Sequence, residues 1–126
     1  MSTAPRPLLE LHARHRTVAD SEVDIRGRRV ESREGEDLGR VEELLVDSVE
    51  DRVRMLRIEQ GGVFGLGATS WLIPVEAVTE VTGELVRVDI TDGELAAAPV
   101  YDPEVVPDPA HYLPLYDHFG FAPFWV

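Results

Sequence analysis

The stretch GRVEELLVDSVEDRVRMLRIE, residues 39 to 59, sets two β-prone runs around a polar turn, and the way they pair decides the fold. SVED at 48 to 51 is short enough to close an antiparallel hairpin between strands at 39–47 and 52–59. Strict alternation puts Glu42, Leu44 and Val46 on one face of the first strand and Val41, Glu43 and Leu45 on the other. Neither face is cleanly apolar, and a bulge or the tight bend of a small barrel accounts for such a mixture.

Working outward, a strand near Arg28 to Ser32 precedes the turn REGED at 33 to 37, and a fourth covers Ser70 to Ile73. Pro74 ends that run, because proline lacks the ladder N–H and cannot continue a central strand. VEAVTEV, 75 to 81, then reads as a turn or short irregular segment. LVRVDI at 85 to 90 is the cleanest strand, with Val86, Val88 and Ile90 on one face and Arg87 and Asp89 on the other. The sum is a mainly β protein: a small barrel of five or six strands, closed or half-closed, since closure removes vulnerable edges.

After Ile90 the composition changes. Thr91 stands three residues before Glu94, a capping-box spacing, ahead of a short helical run that Pro99 stops. Residues 101 to 126 hold seven of the nine aromatics, and residues 99 to 126 hold six of the nine prolines. A free tail would leave that aromatic area in water, so the tail is expected to dock. Tyr112, Leu115, Tyr116 and Phe119 recur at helical spacing, Pro114 confines the helix to a late start, and Gly120 stops it. The chain therefore divides into an N-terminal arm (1–23), a barrel core (24–90) and a C-terminal extension (91–126) packed on the barrel or on a partner.

Composition narrows the chemistry. The 126 residues suffice for one domain with a single core. A net charge of -12 disfavours nucleic acid as a partner. The charge is uneven: residues 1 to 33 hold seven Arg and five acids, while residues 34 to 126 hold five Arg and 19 acids. All twelve basic residues are Arg, so a Schiff base is excluded, and the glycine-rich GVFGLGAT at 62 to 69 is no phosphate loop. With no Cys there is no catalytic thiol, thiolate metal site or disulfide. No apolar stretch approaches the roughly 20 residues that cross a bilayer, and Glu10, His12, Arg14 and His15 interrupt any signal-peptide core. A soluble, cytoplasmic protein without membrane insertion is expected.

The remaining candidates for chemistry are thin. His12 with His15, and His111 with His118, are two pairs where tight zinc sites need three or four ligands, so they read as exposed or tail-packing imidazoles. Acid pairs such as Glu36–Asp37, Glu42–Glu43 and Glu50–Asp51 lie in turns or point to opposite faces of a strand, and no serine sits in a G-x-S-x-G frame. No catalytic, cofactor-binding or metal-binding residue is assigned, no cofactor is expected, and the protein is read as a non-enzyme.

DIRGRRV (24–30), GEDLGRVEELLVD (35–47), RVRMLRI (52–58), WLIPVEAV (71–78) and LVRVDI (85–90) occur in an order that resembles the PRC-barrel family. Over residues 24 to 126, with ELAAAP and the aromatic tail included, the chain is most similar to the cytoplasmic domain of the photosynthetic reaction-centre H subunit. The resemblance implies a β-barrel that serves as a docking and assembly surface and carries no catalysis. The sequence departs from the H subunit in lacking its transmembrane helix, and in placing Arg57 where that subunit's third strand has a carboxylate that helps protons enter. Neither anchoring nor proton delivery carries over. PRC-barrels also form half of the ribosome maturation factor, which implies the alternative of an accessory protein docking a ribosomal protein.

Surface recognition remains, and its usual anchors are aromatic side chains and Arg. The candidates are Phe64, Leu66 and Trp71 around the glycine-rich loop, and Tyr116, Phe119, Phe121, Phe124 and Trp125 in the tail, although packing in the core is the reading favoured for each. The expectation is a protein–protein interaction module that forms a homodimer or larger homo-oligomer through one of these groups.

Overall fold

The fold, taken from a computed structural model, is described for residues 8 to 10, 24 to 47, 52 to 61, 68 to 102 and 112 to 123. It is mainly β. The strands are β1 (Leu8–Glu10), β2 (Arg29–Glu31), β3 (Asp37–Asp47), β4 (Arg52–Gln60), β5 (Thr69–Pro74), β6 (Val78–Val81) and β7 (Leu85–Val88), followed by helices α1 (Asp92–Ala97) and α2 (Tyr112–Phe119). The sheet runs β5-β4-β3-β2-β7-β6, with β1 beside β3, and the strands pair antiparallel except for the parallel seam of β2 with β7. It is a curled, half-closed barrel whose end strands, β5 and β6, are joined by a 3-10 turn at Val75–Ala77.

The mixed pattern of β3 comes from bulges. Val41 faces Ile58 and Leu44 faces Leu56, so the slip at Glu42 brings two apolar residues onto one face where strict alternation separates them. A second slip, at Arg54 on β4, keeps Val46 opposite Val53. That face meets Val30, Val86, Ile73 and Trp71 in the barrel core. The opposite face is also covered, since Leu45, Met55 and Leu72 are buried.

One expectation needs correction. Residues 78 to 81 form a strand, not an irregular segment: β6 pairs with β7, but its Thr79, Glu80 and Val81 are exposed, so it carries no buried alternation to betray it. Among the described residues the sheet path holds six strands, and the three-residue β1 joins it by pairing with Leu45–Asp47 of β3.

Pro74 is the last residue of β5, and its placement has a geometric reason. The Tyr101 N–H donates to the Ser70 carbonyl (2.8 Å), on the side of β5 away from β4. Along an antiparallel strand the backbone polar groups alternate sides, so Leu72 and Pro74 turn theirs the same way as Ser70. The missing N–H of Pro74 therefore removes no bond from the β4 ladder.

Candidate interaction surface

The C-terminal extension is built from caps and one apolar helix face. The Thr91 hydroxyl accepts from the Glu94 N–H (3.1 Å), starting α1 as the capping-box spacing predicts. In α2, Tyr112, Leu115, Tyr116 and Phe119 are buried as one face, which packs chiefly against β5. Pro114 falls in the first turn, where an N–H has no helical partner to lose. Gly120 adopts φ 81° and donates its N–H to the Tyr116 carbonyl (2.9 Å), closing the helix in the left-handed region.

Polar contacts tie this extension to the barrel. His118 Nε2 donates to the Glu94 carbonyl (2.7 Å), joining the end of α2 to α1, and its ring meets Phe119 edge-on at 4.9 Å. Arg33, in the β2–β3 turn, pairs with Asp89 (2.6 Å) and lies 3.6 Å from Glu94, while its N–H donates to the Ile90 carbonyl. The bond to Asp89 holds the Arg33 guanidinium above its ordinary pKa.

Of the residues expected to contact a partner, Trp71, Tyr116 and Phe119 belong to the core, and Phe121 packs half-buried against it. Burial pushes the Tyr116 phenol well above its usual range. Phe64, Leu66, Phe124 and Trp125 lie outside the described residues, as do His12, His15 and His111. Among the described residues, the large apolar side chains that face solvent are Val100 (64% exposed), Leu113 (45%) and Val81 (45%), two of them in the extension. Sequence reasoning passed over both, although Leu113 was findable: it falls off the helical face that Tyr112, Leu115, Tyr116 and Phe119 share.

The outer face of β6, β7 and β2 is charged. Arg87 bridges Glu80 (3.0 Å) and Glu31 (3.1 Å), and Glu31 is held below the ordinary glutamate pKa chiefly by the Arg87 hydrogen bond. Nearby, Asp24 is held low by its hydrogen bond to Arg26, which also reaches Glu43 (3.5 Å). Glu43 is buried and accepts from the Leu44 N–H (3.0 Å), whereas its neighbour Glu42 is exposed. Arg57 stands opposite Glu43 across the β3–β4 ladder, with a side chain only 15% exposed and within 3.9 Å of Glu59.

A cleft of about 190 Å³ opens beside this face, lined by Arg29, Asp37, Gly39, Arg40, Glu42, Glu59 and Gly61. Its charges alternate in sign, and nothing in it pairs a nucleophile with an oriented base. Among the described residues no group of three or more His, Asp or Glu is placed to hold a metal ion, and no helix is long and apolar enough to cross a membrane.

A short barrel with a parallel β2–β7 seam and charge pairs on its outer face defines a small β-barrel module. The PRC-barrel domain family matches residues 21–95, so the chain belongs to the PRC-barrel family. No curated protein matches the chain significantly.

Proposed function

We propose that the protein is a non-enzymatic docking and assembly module, akin in role to the cytoplasmic domain of the reaction-centre H subunit, and that it assembles with further copies of itself. Its family consists generally of binding modules without catalysis. The observation that carries the reading further is the exposure of Val100 and Leu113 on an extension whose aromatic face is otherwise buried. Isolated apolar side chains on a surface are ordinary, but two on one appended element, next to a barrel with a charged exterior, favour that element as the contact.

The test is sedimentation velocity on the full chain over a wide concentration range. A reversibly associating species that Leu113→Asp weakens supports the reading. A single monomeric species up to about 1 mM, the affinity below which association contributes little more than 4 kcal/mol, overturns self-assembly.

A further inference from the structure

We propose that the cleft on the outer face of β2, β3 and β4 binds a small zwitterion of the amino-acid kind, its carboxylate on Arg29 and Arg40 and its ammonium on Glu42.

Opposite charges stand unpaired in this cleft. Arg40 and Glu42 both line it, two residues apart on β3, yet neither makes an ion pair among the described residues, with the other or with a third group. For Glu42 the cause is the bulge: Val41 faces Ile58 and Glu43 faces Arg57, so no β4 residue stands opposite Glu42. Arg40 stands between Arg29 on β2 and Glu59 on β4. Glu59 is engaged elsewhere, accepting from the Ser70 hydroxyl (3.3 Å) and lying 3.9 Å from Arg57. With 24 acids to 12 Arg in the chain, Arg40 does not lack a carboxylate for want of acids.

The Arg29–Arg40 pair is the second signal. Like charges directly opposite across a ladder are destabilising, and an anion held between them removes that cost. Each guanidinium is anchored by one arm, Arg29 Nη2 on Glu31 (2.5 Å) and Arg40 Nη1 on the Gly27 carbonyl (3.1 Å). Both therefore keep N–H groups for a carboxylate, whose two oxygens match the planar fork of Arg. Gly39 and Gly61 line the same space without side chains to fill it.

Size and field choose the ligand. A volume of about 190 Å³ is below the roughly 300–1,000 Å³ of sites for drug-sized molecules, so the ligand is small. A bare anion meets Asp37, Glu42 and Glu59 in the cleft and a net charge of -12 around it, while a bare cation meets the two Arg. A molecule carrying both charges satisfies both sides and, being neutral overall, is not repelled at long range.

The test is a proton–nitrogen NMR titration of the full chain with glycine at neutral pH and constant ionic strength, following the Gly39 and Gly61 amides and the Arg40 Nε–H. Saturable shifts at these groups with a Kd of about 1–10 mM are expected. Acetate and methylammonium, each carrying one of the two charges, should bind at least about tenfold more weakly. Glycine should lose about tenfold in affinity for Arg40→Gln and for Glu42→Gln, both at exposed positions, while spectra unchanged away from the cleft show that the variants are folded. A glycine response that does not saturate, one that acetate or methylammonium matches, or one that either Gln variant retains in full overturns the proposal.

Discussion

Replacing Gly39 by Ala tests how tightly β3 and β4 are drawn together. Gly39 has φ +116°, and a Cβ built there lies 2.1 Å from the Glu59 carbonyl oxygen, 2.9 Å from its carbon and 3.2 Å from the Gln60 Cα. Real Cβ contacts are essentially never under 3.0 Å, so relief needs a movement approaching 1 Å in backbone, not in a flexible side chain. The positive φ costs an L-residue about 1–2 kcal/mol. Moving the Glu59 carbonyl also loosens the ladder at the Arg40–Glu59 pair, losing one or two hydrogen bonds of about 1 kcal/mol each. The total is about 3 kcal/mol. Gly35→Ala is the matched control, because Gly35 has φ +88° and nothing within 4 Å of a Cβ, so only the conformational part, about 1.5 kcal/mol, applies. Any gain from a stiffer unfolded chain is common to both substitutions. Urea unfolding followed by tryptophan fluorescence should place the Gly39→Ala midpoint below that of Gly35→Ala by roughly 0.5–1.5 M. Equal midpoints would refute the reasoning, since they would mean that the strands part at no cost.

Three further outcomes are expected. Thr91→Ala should cost about 1 kcal/mol in chemical denaturation by leaving the Glu94 N–H without its cap, and Thr91→Ser should recover most of it. Thermal scans at low and at roughly 1 M NaCl should show a higher midpoint in salt, because screening relieves the self-repulsion of a net charge of -12; a lower midpoint would make the ion pairs the dominant charge effect. The folded-state pKa values of Asp24 and Glu31 lie below their ordinary 3.8 and 4.5, so their stabilisation is full above those values and is lost as pH falls through the folded ones. Asp24→Asn should accordingly flatten part of the acid limb of a stability–pH curve, and parallel curves for variant and parent would remove Asp24 from the account.

Much of the barrel was legible because its inner residues obey simple periods. Val86 and Val88 alternate and are buried, and the α2 face repeats at helical spacing. What pattern alone leaves undecided has physical causes. β6 is an exposed edge strand that owes its form to pairing with β7, so the signal lies in its partner. The bulge at Glu42 resets the phase of β3, and no local pattern announces where a strand will slip. Among the contact candidates, Trp71, Tyr116 and Phe119 belong to the core: an aromatic residue looks the same in sequence whether it anchors a partner or fills a barrel. Val100 and Leu113 escaped notice for the converse reason, being aliphatic residues of ordinary type whose exposure only the packing reveals.

The parallel seam between β2 and β7 has a kinetic corollary. The β3–β4–β5 meander and the β6–β7 hairpin join near neighbours along the chain, and such turns close within microseconds. Glu31 and Arg87, which meet across the seam, are 56 residues apart. Loop-closure entropy must be met there before any contact rewards it, so uniting two preformed halves is the expected bottleneck of refolding. Weakening the seam should slow the refolding limb of a chevron, whereas an equal loss of stability within the meander should chiefly hasten unfolding.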